Sequence, residues 1–352
     1  MKIVLVSDAW APQVNGVVRT LMTTVERLRG GGHLVETLTP DQFRTVPCPS
    51  YPEIRLALGC GRAVSARLEA AVPEAIHIAT EGPLGWAARR WCLDRGVPFT
   101  TSFHTRFPDY VAMRSRLPAD CFWPIVRRFH GPASRVFAAT ETLADELAER
   151  GLPHTHRWSR GVDLAVFGPD LAPHPALAEL PGPVLLSVGR VAVEKNVEAF
   201  LTADVPGTKV VVGDGPARAM LEKRFPDAVF TGALHGERLA SAYAAADLFV
   251  FPSLTDTFGL VMIEALASGL PVAGFPVRGP IDIIGTDGTG MSGGTARIGA
   301  LDDDLATAIR TALTADRAAC VAEGRRYGWD RCTGQFLSGL ASTGIRALQP
   351  VG

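Results

Sequence analysis

The sequence has 352 residues, 47% of them apolar and 20% charged, with a net charge of −1 at pH 7. That length is too great for one ordinary core and suits two domains. So even a charge balance gives no basis for nucleic acid as a partner, and no apolar run approaches the roughly 18 residues that span a bilayer. The six cysteines, at 48, 60, 92, 121, 320 and 332, show no metal-ligand spacing and are expected as free thiols of a reducing cytoplasm.

Lys2–Val6 reads as a buried first strand rather than an export signal, because charge interrupts the apolar run too early. The segment Pro12–Val17 follows, leading into a helix. Asn15 suits the cap position of that helix, and Gly16 would let a phosphate or sugar approach the backbone. No Gly-x-Gly-x-x-Gly is present, which argues against a dehydrogenase. Further strands are expected at Leu34–Leu38, Ala75–Ile78, Phe99–Ser102, Val136–Ala138, Val184–Val188, Lys209–Val212, Ala228–Phe230, Leu248–Phe251 and Val272–Gly274. Helical patterns lie between most of them. This alternation specifies an α/β fold with parallel sheets. Pro-rich runs at 170–175 and 180–183 read as a linker, so the expected domains are 1–168 and 169–330, followed by a helical tail over 331–352.

Chemistry-bearing residues cluster where strands end. A lone histidine is usually structural, but His104 follows the strand Phe99–Ser102, and the carboxyl end of a strand is a better place for function. Between 86 and 135, nine arginines against three aspartates are interleaved with aromatic residues. Arg106, Trp123, Arg127 and Arg128 could therefore form an acceptor-binding or membrane-binding face; the alternative is an aromatic core beneath a solvated basic surface. Arg160 precedes a turn ending at Asp163, with which it could form a salt bridge. After Val184–Val188, Arg190 and Lys195 would place two cations at the carboxyl edge of the second sheet, where open α/β sheets bind ligands. They suit a diphosphate, or Lys195 could pair with Glu194 or Glu198. Gly213 stands in a tight turn after Lys209–Val212.

The segment 251–272 carries the most information. Asp256 lies in a turn, Gly259 follows, and a helix then carries Glu264 before stopping at Gly269 and Pro271. The amides of Phe258, Gly259 and Leu260 would face an anion at the helix N-terminus. Glu264 would lie roughly 7–8 Å along the axis, so the two carboxylates could hold different parts of one molecule. The competing interpretation is that Asp256 caps the helix and Glu264 is solvated. Asp302–Asp304 precede a helical run and are expected to cap it rather than to bind metal. The Gly-rich run 285–294 lacks the Lys-Ser/Thr of a phosphate loop and reads as a surface loop.

Asp256 and Glu264, two carboxylates separated by seven residues, resemble the signature of retaining glycosyltransferase family four, with Asp in place of the more frequent Glu. The resemblance extends from residue 1 to about 345. It includes Gly189-Arg190 with Glu194-Lys195, the Arg160–Asp163 turn, and His104-Thr-x-Phe-Pro-x-Tyr110, a pattern of members that glycosylate lipids, including the synthases of sulfoquinovosyl-diacylglycerol and phosphatidylinositol mannoside. It implies the GT-B architecture: two doubly wound Rossmann-like domains, the active site in the cleft, and a C-terminal helix crossing back to the first domain. The first domain would bind the acceptor and the second the nucleotide-sugar donor. By the same resemblance Gly16 and Gly213 face the donor, Ala233 and Leu234 meet its base, Arg190 and Lys195 hold its diphosphate, Glu264 takes the ribose hydroxyls, Asp256 grips the sugar, and His104 lies beside it.

The expected activity is retaining, metal-independent hexosyl transfer to a membrane lipid, with diacylglycerol as the favoured acceptor and a UDP-sugar favoured over GDP-mannose. No cofactor is implied. An anionic membrane surface would be a partner, reached from the cytoplasmic face by a peripheral enzyme. The alternatives are transfer to a polysaccharide or polyprenyl-linked glycan and, from another class, a non-catalytic two-lobed sugar-binding protein.

Overall fold

The computed structural model describes residues 1–345 except 14, 49, 50, 105, 107, 110, 111, 113–116, 255–257, 292 and 293, and leaves the side chains of 51–53 undescribed. The chain divides into two compact units, Met1–Ser159 with Cys332–Gly352, and Arg160–Arg331.

The first unit is built on six parallel strands: β1 (Lys2–Val6), β2 (Leu34–Leu38), β5 (Ala75–Ile78), β6 (Thr100–Ser102), β7 (Arg135–Ala138) and β8 (Thr155–Arg157), in the order β2-β1-β5-β6-β7-β8. A separate antiparallel hairpin joins β3 (Thr45–Cys48) to β4 (Tyr51–Ala57). The first helix, Gly16–Gly30, starts where Asn15 Oδ1 accepts from the Val18 amide at 3.0 Å. Its buried residues Val18, Leu21, Val25 and Leu28 recur at three- and four-residue steps and turn one apolar stripe to the sheet.

The second unit repeats the plan with β9 (Val184–Val188), β10 (Thr208–Val212), β11 (Val229–Gly232), β12 (Leu248–Phe251), β13 (Val272–Gly274) and β14 (Gly299–Leu301), in the order β11-β10-β9-β12-β13-β14. Strands such as β9 and β12 are apolar on both faces because helices cover both sides of a parallel sheet. In each unit the strand order reverses direction beside the first strand, between β1 and β5 and between β9 and β12. A doubly wound sheet opens a ligand crevice at the carboxyl ends of such a pair.

The division falls at Ser159/Arg160 rather than at 168/169. Residues 160–168 pack within the second unit: the Val162 amide donates to Tyr327 O at 2.8 Å, Gly161 lies against the Trp329 ring, and Phe167 meets Tyr243 edge-on at 5.8 Å. The last helix, Trp329–Gly339, belongs to the first unit from Cys332 on. There Ser159 N donates to Gln335 Oε1 at 2.9 Å, and Arg135 reaches Ser338 O and Gly339 O at 3.0 Å.

Candidate nucleotide-sugar site

Three loops at the carboxyl edge of the second sheet are laced together by backbone hydrogen bonds. Gly189 N donates to Val212 O, Gly213 N to Gly232 O, and Val191 N to Asp214 O, each at 2.9 Å. The loops lie so close that a Cβ on Gly213, whose φ is +148°, would sit 1.8 Å from Gly189 O. The result is a closely packed shelf of main chain, flanked at Gly232 by the Arg218 guanidinium, which pairs with Asp214 at 3.1 Å. Arg190 projects from it, exposed, and its guanidinium bonds to no side chain or carbonyl among the described residues. Lys195, half-buried, ends the short 3-10 turn Val193–Lys195. Asn196 then adopts a left-handed conformation and donates from Nδ2 to Pro252 O at 3.2 Å, which ties this loop to the end of β12. Beyond β11, Ala233 is exposed and Leu234 is buried.

Helix Leu260–Ala267 begins at Gly259, whose φ of +85° and close contact with Met262 and the Phe251 ring leave no space for a side chain. Phe258 is buried against Tyr327 at 6.0 Å, and Leu260 is half-buried. The carboxylate expected at Asp256 lies outside the described residues. Glu264 is only 1% exposed, which excludes the solvated-helix reading. It is the one charged residue of an otherwise apolar helix, and the Tyr243 hydroxyl donates to its Oε2 at 3.1 Å. Burying a carboxylate requires such partners. Tyr243, which sequence reasoning missed, stands 21 residues away on helix Gly236–Ala244; no local pattern links the two.

In the first unit, His104 is buried just beyond β6, its ring edge-on to Trp158 at 5.5 Å, and Gly16 is exposed at the helix start. Asp8, also missed, follows β1 and accepts from the amides of Leu84 (2.9 Å) and Gly85 (3.2 Å). Burial raises its pKa, and those amides and Thr80 partly offset the rise. Glu81 joins the same carboxyl edge and receives His130 Nε2 at 3.1 Å. Arg160 is buried.

The expected basic and aromatic face separates into two layers. Trp123 is a correction: it is 2% exposed and stacks on Phe103 at 5.9 Å and 15°. Helix Trp123–His130 places Trp123, Val126 and Phe129 inward at helical spacing, so Arg127 and Arg128 must point outward. Arg106 is held by Glu146 through two contacts, 2.6 and 2.9 Å, and by Asp109. Asp304 caps helix Leu305–Ala312 through the amides of Ala306 and Thr307 at 3.2 Å. No group of three or more metal-ligating side chains occurs among the described residues.

Known proteins share both sequence and architecture. Residues 14–166 match the family model Glycosyltransferase Family 4, and residues 182–315 match Glycosyl transferases group 1. A GDP-mannose-dependent alpha-mannosyltransferase of Mycolicibacterium smegmatis is 33% identical over 351 residues, covering 93% of this chain and 91% of that protein. An alpha-monoglucosyldiacylglycerol synthase of Streptococcus pneumoniae is 30% identical, covering 77% and 70% respectively. Among solved structures, sucrose-phosphate synthase from Thermosynechococcus elongatus superimposes with a TM-score of 0.71 at 20% identity, covering 96% of this chain and 97% of that one. With two doubly wound units and a relative one-third identical over nine-tenths of its length, the chain belongs to glycosyltransferase family 4 and has the GT-B fold.

Proposed function

We propose that the protein transfers a hexosyl group from a nucleoside-diphosphate sugar, bound on the second unit, to a membrane lipid acceptor bound on the first. The observation that carries the donor half is the Arg190 guanidinium, exposed and unpaired among the described residues, on the loop that follows β9 at the carboxyl edge of the second sheet. Main-chain amides, Arg190 and Lys195 would stabilise the charge that develops on the departing diphosphate. Glu264 would take the ribose hydroxyls, Asp256 and the amides of Phe258–Leu260 the sugar. The departing phosphate would assist removal of the acceptor's proton on the same face, giving retention without a metal.

The lipid acceptor is supported by the relative named a monoglucosyldiacylglycerol synthase. The mannosyltransferase matches over more of the chain, 93% against 77%, which favours a second reading of the donor and makes GDP-mannose the first to test ahead of a UDP-sugar. No helix among the described residues is long and apolar enough to cross a membrane. Because the proposed acceptor is held in a bilayer, we place the enzyme at the cytoplasmic membrane surface as a peripheral protein.

The test is a transfer assay read by mass spectrometry, crossing GDP-mannose and a panel of UDP-sugars with anionic liposomes containing diacylglycerol and with soluble glycans, each with and without EDTA. The expected product is an EDTA-insensitive glycolipid from one donor, with the donor's anomeric configuration kept when read by NMR. A soluble product alone would overturn the lipid acceptor, and an inverted anomeric centre the retaining course. If no donor binds or reacts, the site assignment is wrong.

A further inference from the structure

Tyr243 is fully enclosed between Phe167 and Phe249, at ring distances of 5.8 Å. Its hydroxyl lies 3.1 Å from Glu264 Oε2 and 3.3 Å from Val261 O. One phenolic proton serves one of these acceptors, and the nearer, charged one binds it more strongly. A tyrosine–glutamate pair is a costly way to fill the inside of an apolar helix, since a leucine or methionine there would need no partner. The arrangement does something that packing does not require: it ties one oxygen of the carboxylate to a rigid, buried ring and so restrains its orientation. A carboxylate offers about four acceptor positions, and the hydroxyl engages one of them, on Oε2.

We infer that Tyr243 is the positioning residue that orients Glu264 for the ribose of the donor, and so sets the preference for ribonucleotides over deoxyribonucleotides. This rests on the reading of Glu264 as the ribose-binding carboxylate. The same helix, Gly236–Ala244, starts directly after Ala233 and Leu234, which that reading places at the base. One rigid element thereby links the loop at the base to the group at the ribose.

The experiment is calorimetric titration with UDP and GDP and with their 2′-deoxy and 3′-deoxy counterparts, on the wild type, Y243F, E264Q and the double variant. Phenylalanine fills the same space, and thermal melting reports whether the variant is folded. In Y243F the affinity for the ribonucleotide is expected to fall about tenfold, with deoxynucleotide affinity nearly unchanged, so the discrimination ratio falls by the same factor. Combining it with E264Q should add nothing further. If E264Q loses discrimination and Y243F keeps it, or if Y243F weakens ribo and deoxy ligands equally, the positioning role is overturned while the site reading stands. If E264Q also keeps discrimination, the ribose assignment itself falls and this inference with it. Should Y243F fail to fold, 3-fluorotyrosine placed at position 243 keeps the hydroxyl as a stronger donor; a raised discrimination ratio supports the inference, and an unchanged ratio sinks it.

Discussion

Replacing Gly213 by alanine perturbs the second unit at its tightest point. The added Cβ would lie 1.8 Å from Gly189 O and 2.9 Å from the Gly189 carbonyl carbon, whereas carbon and oxygen in contact need well over 3 Å. The loops after β9 and β10 must therefore separate by more than about 1 Å, and neither partner is a flexible side-chain tip that can swing away. Such a shift stretches the Gly189 N–Val212 O and Val191 N–Asp214 O bonds beyond hydrogen-bonding range from their present 2.9 Å. Two backbone bonds at roughly 1 kcal/mol each, with overpacking of about 1–3 kcal/mol, come to a destabilisation of about 3–5 kcal/mol. Arg190 rides on the same loop, so a folded G213A should also bind UDP or GDP at least about tenfold more weakly. Urea unfolding and calorimetry measure the two effects. Gly334, on the last helix with open space around its Cβ position, is the control: G334A should be neutral or stabilise by about 0.5–1 kcal/mol. Wild-type unfolding and nucleotide affinity in G213A would refute the backbone-shelf argument.

Three further outcomes probe the first unit. His77 is fully buried between Thr100 Oγ1 and Ser102 Oγ, and burial lowers its pKa from 6.5 to about 3. The unfolded chain therefore binds the extra proton first, so this group's contribution is present above pH 6.5 and is lost as pH falls toward 3; between pH 7 and 5 the wild type should lose about 2 kcal/mol more stability than H77N, which does not titrate, and equal losses in urea melts would remove the argument. R127E/R128E should weaken sedimentation with anionic vesicles without changing the melting temperature, because both side chains are exposed. W123A, by contrast, should cost about 3–5 kcal/mol, and vesicle binding that depends on Trp123 in a protein of unchanged stability would contradict its burial.

What could be read along the chain was whatever depends on near neighbours. Val184–Val188 and Leu248–Phe251 were visible as strands because burial on both faces demands an uninterrupted apolar run. Asn15 and Asp304 were visible as caps because a cap bonds amides two or three residues away. The edge strands Thr155–Arg157 and Gly299–Leu301, three residues each, escaped because an edge needs no apolar run and the first is half-buried and polar. So did the hairpin strand Thr45–Cys48, whose Pro47 argues against a strand in sequence but fits one that is unpaired on one side. The tertiary structure alone decided which partners the charged groups have. Glu146 meets Arg106 from 40 residues away, and Asp8 caps a helix 76 residues on. Glu264 receives its hydroxyl from a different helix. Periodicity records which face of an element is dry; it carries no information about which distant polar group must meet a charge once that face is buried.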